Sequence, residues 1–264
     1  MGMEKFFDYI KQKSTSEEEY TYEVLMARGF LLEDKRFVLS DNSHELDKKY
    51  LERIFLKYNI GQIEGNKIII SNPDKIENIF NREDVGGCEA AGNAYDWEMF
   101  RNRQHGFKVP VSILEPFVAR YIKAISACGI NTHGSCDGNH PGEKLVRIDT
   151  SEGGCSCWHT FICKKILSRY FDLDWNRTYN EIRFNKDNQW ATYIELNRAA
   201  DFLYSNRVEF RKVKTEAMAP LSCSELRHKT NEELNDIFIN NVDNLLKNYI
   251  IGKLNTFTEG EKNE

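Results

Sequence analysis

The sequence predicts an α+β fold: a mixed or antiparallel sheet with helices on one face, a small α/β unit before it and a helix at the C-terminal end. Three observations carry this. Between Pro110 and Val213 the hydrophobic period alternates in the order α, β, β, α, β, α. The first third mixes helical stripes with extended stretches, and the segment Thr230 to Leu254 carries one long apolar stripe.

Taken in order, Phe6, Phe7 and Ile10 have helical spacing in residues 1 to 13. Ser16 then stands as a cap before a helix that runs through Tyr20, Val24, Leu25 and Ala27 and stops at Gly29. Residues 30 to 40 and 66 to 71 read as extended, with a helix over His44 to Tyr58 between them. These form an N-terminal unit, 1 to 86. The glycine-rich stretch between Asn72 and Val109 reads as a long irregular loop or linker, with a soft boundary near Gly86.

From Pro110 a helix through Val118, Tyr121, Ile122 and Ile125 stops at Gly129, and strands follow over Ile130 to Ser135 and Lys144 to Thr150. A helix over Cys155 to Phe171, a strand over Thr178 to Phe184 and a helix over Trp190 to Val213 complete a central domain, 87 to 218. The remainder, 219 to 264, holds a last helix with Thr230 and Glu233 in capping-box register. Its stripe of Leu234, Phe238, Val242, Leu245 and Tyr249 must be covered, and self-assembly into a homo-oligomer is the expected cover.

With 264 residues, 41% of them apolar and 29% charged, the chain has the composition of a globular protein. It shows neither the basic flank of a secretory signal nor an apolar run of membrane-spanning length, so a soluble cytoplasmic protein is expected, in the host cytoplasm if phage-encoded. The odd set of Cys88, Cys128, Cys136, Cys155, Cys157, Cys163 and Cys223 points to free thiols. Charge is uneven: residues 101 to 214 carry 18 Lys plus Arg against 12 Asp plus Glu, in a chain whose net charge is −5. A basic middle between acidic ends is where an anionic partner would dock.

The densest chemistry lies between Thr132 and Cys163. It is neither a phosphate-binding loop nor a nucleophile elbow, since the required glycine patterns are missing. Its cysteines and histidines suggest a metal site, with zinc the ion such a set would hold. On a helix, Cys155 and Cys163 stand about 12 Å apart, too far for one ion with bonds of about 2.0 to 2.3 Å. One ion could take His159 with either Cys155 or Cys163 and would need His133, Cys136 or His140 to complete it; the candidate set is Cys136, His140, Cys155 and His159, while thiols packed as small hydrophobes are the competing reading. A second reading makes Cys136 a nucleophile, with His133, His140 or His159 as base and Asp137 as orienting group. If the segment forms one shared site, Cys136 lies within about 10 Å of His159.

The phrase GINTHGSCDGNH resembles a motif of mostly uncharacterised bacterial and phage proteins. It is also similar to the Ser-Ser-Cys-x-Gly segment of the wybutosine-synthesis tRNA methyltransferases, through Thr132, Ser135, Cys136, Gly138 and His140; Gly134 and Asn139 depart from that pattern. The resemblance covers about one tenth of the chain. It implies a tRNA-modifying transferase with these residues in a cofactor or substrate loop. The sequence also resembles phage proteins that block bacterial defence complexes, inhibitors of the Gabija system among them, which implies an interaction protein.

Outside this segment, Arg101, Arg103, His105 and Lys108 place positive charge before the motif. Arg207, Arg211 and Lys212 end a run of basic residues interleaved with aromatics, a composition that suits phosphate contact and base stacking. The leading expectation is an interaction protein with a protein or nucleic-acid partner. The rival is an enzyme, either the transferase or a metal-assisted hydrolase.

Overall fold

The computed structural model describes residues 2–33, 35–86, 95–139, 145–184 and 188–260, with side chains to residue 256. Helix α1 (Met3–Gln12) buries Phe6, Phe7 and Ile10, and α2 (Glu17–Ala27) is capped by Ser16, whose hydroxyl accepts from the Glu19 amide at 3.1 Å. Helix α3 (Glu45–Tyr58) starts at His44, whose amide is held by the Asp47 carboxylate at 3.1 Å. Strands β1 (Gly61–Glu64) and β2 (Lys67–Ile70) form an antiparallel hairpin. The sequence reveals only the second strand, because GQIE holds a single apolar residue. Of residues 30 to 40, the described ones contribute isolated bridges, Leu32 to Leu39 and Val38 to Lys67.

The stretch read as irregular holds a 3-10 segment at Pro73–Phe80 and helix α4 (Trp97–Asn102). Helix α5 (Ala119–Ala127) leads into β3 (Thr132–Cys136) and β4 (Val146–Thr150), and then into α6 (Gly154–Ile162). The start of α6 lies close against α4: a Cβ on Gly154 would stand 2.3 Å from the Phe100 ring. A π turn at Cys163–Leu167 carries α6 into α7 (Ser168–Tyr170). The strand predicted over Thr178 to Phe184 is a hairpin of β5 (Trp175–Thr178) and β6 (Glu181–Phe184) turning at Tyr179. The helix predicted over Trp190 to Val213 is likewise two, α8 (Gln189–Ser205) and α9 (Arg207–Met218), broken at Asn206. Helices α10 (Cys223–His228), α11 (Asn231–Leu246) and α12 (Gly252–Gly260) follow, the last two joined by a π turn.

The main sheet is antiparallel in the order β3-β4-β6-β5. Alternation sorts its two faces: Val146, Ile148, Ile182 and Phe184 are buried, while Arg147, Asp149, Glu181 and Arg183 between them are half-buried. Helices α5 and α6 cover the apolar face, where Tyr121 meets Phe184 edge-on at 5.8 Å. The protein is α+β with a helical C-terminal region.

The stripe on α11 is covered within the chain. Phe238 is fully buried and packs edge-on against Trp97, Phe100 and Trp158 at 6.0, 5.5 and 5.7 Å. Leu234, Val242, Leu246 and Ile250 are buried with it, and Tyr249 donates to Glu216 of α9 at 3.1 Å. The apolar surface that the sequence offers for self-assembly is thus docked on α4, α6 and α9. Residues of all three segments, from Phe6 to Leu254, share one contiguous set of buried side chains. No helix among the described residues is long and apolar enough to cross a membrane.

Candidate functional site

Strand β3 presents the sequence motif, with an irregularity in register between Thr132 and Gly134. His133, at this bulge, meets the Ser151 hydroxyl through Nε2 at 2.5 Å. Ser151 is only 2% exposed and also accepts from the Asn131 side chain at 2.8 Å, so its hydroxyl is engaged in holding the bulge. Thr132 pairs with Thr150, and Ser135 with Ile148. Cys136 stands in register with Arg147, on the polar face of the sheet. Burial pushes its thiol pKa up, although the Gly138 amide donates to the sulfur at 3.3 Å. Such a thiol holds its proton and is a weak nucleophile. Gly138 has φ +71°, and a Cβ there would meet Leu145 backbone at 2.7 Å. Its place in the motif is therefore set by this close approach.

Among the described residues, the groups that meet Asp137 do not include a histidine. The Asp137 carbonyl accepts from Tyr193 at 2.6 Å and Gln189 at 3.1 Å, its amide donates to Glu115 at 2.5 Å, and Arg82 lies 3.5 Å from its carboxylate. Burial and the Glu115 charge push its carboxyl up to about 6. These contacts tie the end of β3 to α8 and to the N-terminal segment.

Cys155, His159 and Cys163 lie on the helical stretch beneath the other, apolar face. Cys155 accepts from the Asn131 amide at 3.3 Å, and burial raises its thiol to about 12. His159 is fully buried, its Nε2 is 2.9 Å from the Tyr121 hydroxyl, and burial lowers its pKa to about 3. Cys136 and His159 therefore belong to opposite faces of the sheet, and the shared site that would use both is not formed. His140 lies outside the described residues, among which no three His, Cys, Asp or Glu side chains converge as a metal site. Cys128, Cys157 and Cys163 are buried and pack as small apolar groups, whereas Cys223 is exposed.

The basic residues behave differently. A cavity of about 50 Å³ opens where α5, the segment 105–109 and the α8–α9 break meet, lined by His105, Lys108, Lys123, Tyr204, Arg207 and Arg211. No acidic side chain is among its described lining residues. The break at Asn206 makes this corner, because it lets Arg207 and Arg211 start a new helix beside Tyr204. Arg207 lies over the Tyr204 ring at 4.3 Å and donates to the Tyr204 carbonyl at 2.7 Å. Arg211 donates to the Arg207 carbonyl and to His105 Nδ1, both at 3.1 Å. A guanidinium can only donate, so Nδ1 accepts and the imidazole proton sits on Nε2. Burial and the neighbouring Arg211, Lys214, Lys108 and Arg103 hold the His105 pKa down, keeping the ring neutral and its Nε2–H a donor.

Lys108 donates to the Asp41 carbonyl at 3.2 Å. Lys123 is held by the Asp47 carboxylate at 2.8 Å, and burial lowers its pKa. Lys108, Arg207 and Arg211 are thus positioned by carbonyls, a ring and an imidazole, which orient a cation without neutralising it. Lys212 points away and lies over Tyr249 at 4.6 Å. Sequence reading misses Lys123; its one signal is a cation in the otherwise compact helix ARYIKAISA, every residue of which from Ala119 to Ser126 is buried. Comparison of the chain with models of known families, with curated proteins and with solved structures returns no match.

Proposed function

We propose that this is an interaction protein that captures an anionic, phosphate-bearing partner in the cavity between α5 and the α8–α9 break. One observation carries the reading: His105, Lys108, Arg207 and Arg211 converge on a small concavity whose described lining contains no carboxylate. Cations held by neutral acceptors retain charge for a ligand, and guanidinium groups offer paired donors suited to phosphate. The rest of the chain, net negative, repels polyanions at long range and confines attraction to this corner. The enzyme readings centred on Cys136 have less support, because its thiol pKa is raised and His133 is engaged by Ser151.

The test is calorimetric titration of the full chain with inorganic phosphate and pyrophosphate over a series of salt concentrations. Affinity should fall as salt rises, and Arg207→Glu with Arg211→Glu should abolish binding in a protein that still melts cooperatively. Binding that survives the double reversal removes the cavity from the function.

A further inference from the structure

The basic cavity adjoins a larger cleft. Tyr204 and Arg207, which line the cavity, also line this open cleft of about 1000 Å³ that runs along α2 and the segment 32–40. The two spaces differ in charge. The described lining of the cleft has five basic and five acidic side chains, and several are already paired: Lys13 with Glu23 at 3.1 Å and Asp201 at 3.3 Å, Arg120 with Asp201 at 3.1 Å. The cleft is electrically balanced while the cavity is cationic. They differ in size as well. Pockets for whole small ligands run from about 300 to 1000 Å³, so the cavity, at about 50 Å³, holds one head group and the cleft has room for the body attached to it.

We infer that the ligand is a nucleoside monophosphate, its phosphate monoester in the cavity and its nucleoside in the cleft; this rests on the anion-capture reading above. A terminal phosphate suits a recess bounded by Lys108, His105, Arg207 and Arg211, where the two guanidinium groups, Lys108 and the His105 Nε2–H can share its oxygens. The cleft supplies Tyr22 and Phe37, which meet edge-on at 6.0 Å, while the Tyr204 ring is already met by the Arg207 and Arg120 guanidinium groups at 4.3 and 4.9 Å. Aromatic rings and guanidinium planes are the surfaces on which a nucleobase stacks. A longer strand fits poorly. Its further phosphates would lie among Glu18, Glu19, Glu23 and Glu33, where no net positive charge compensates them.

The test is equilibrium binding of the full chain to the four common ribonucleoside monophosphates, their nucleosides, inorganic phosphate, and a dinucleotide with an internal diester but no terminal phosphate. At least one monophosphate should bind about 10-fold or more tighter than phosphate, because the stacked base adds to the anchored head group. Its nucleoside and the dinucleotide should bind far more weakly. Arg211→Gln should weaken the monophosphate and inorganic phosphate alike, whereas Phe37→Ala should weaken the monophosphate alone. If phosphate binds but no monophosphate binds more tightly, or if the unphosphorylated dinucleotide binds as well, the nucleotide inference fails and anion capture stands. If neither phosphate nor any monophosphate binds, both fail.

Discussion

In the Thr132–Cys163 segment, Cys155, His159 and Cys163 are fully buried, the first against Asn131 and the other two against Tyr121, and burial moves each toward its neutral form. Around the cavity, Arg207, Arg211 and Lys108 are anchored by groups that leave their charge uncompensated. The first region is dense in chemistry along the chain and spread over two faces of a sheet in space. The second is scattered from His105 to Arg211 along the chain and convergent in space. What separates them is desolvation. Reactive side chains placed under a sheet become packing, and ordinary surface cations gathered at a helix break become a site.

Reversing charge in the second region should give the largest effect. Arg207→Glu with Arg211→Glu should reduce anion affinity by about 100-fold or more, from the loss of two charge-assisted contacts, with a near-unchanged melting temperature. Titration calorimetry beside a thermal melt checks both halves, and a collapse of the fold would place these residues with the packing class.

In the first region the matching change should strike stability instead. His159→Ala leaves the buried Tyr121 hydroxyl without its imidazole partner and opens a void, at a cost of about 2–4 kcal/mol. Urea unfolding measures it, and anion affinity should stay within about twofold of wild type because no cavity-lining residue is touched.

Asp137 sharpens the contrast through pH. Its folded pKa is raised from 3.8 to about 6, so the fold favours the protonated acid; that stability is present at low pH and lost as pH rises through about 6. Asp137→Asn, which cannot ionise, should therefore gain on wild type between about pH 4 and pH 7, by an amount on the order of 3 kcal/mol or less. Unfolding midpoints of both proteins across that range read it out, and parallel curves would show that Asp137 is not held protonated.

The smallest effect belongs to His105. With its pKa held below the ordinary 6.5, the ring stays neutral at pH 7 and charges only in more acidic solution. Affinity for sulfate, which keeps its charge throughout, should be flat from about pH 8 to 6.5 and rise modestly below. In His105→Gln the rise should vanish; its persistence would assign it to another group.

Local patterns were legible wherever a residue's own neighbours decide its conformation. Ser16 and Thr230 cap helices as their spacing to Glu19 and Glu233 requires, Phe6, Phe7 and Ile10 are buried together, and alternation in VRIDT gives one buried and one polar face. Strand β1 and helix α4 were not legible, since each is too short to show a period. The motif was visible as chemistry but its use was not, because Cys136 and His159 are separated by a sheet whose faces the sequence does not assign to partners.

By itself, then, the sequence determined the α+β class, the succession α5, β3, β4, α6, the principal caps and the apolar stripe of the last helix, all consequences of periodicity and backbone chemistry within a few residues. Only the tertiary structure decided that this stripe closes on Trp97, Phe100 and Trp158, that His159 is shut away in the core, and that Lys108, Lys123, Arg207 and Arg211 meet at one cavity. Those outcomes depend on which distant surfaces exclude water together. A contact between residues a hundred positions apart leaves no period in the chain that makes it.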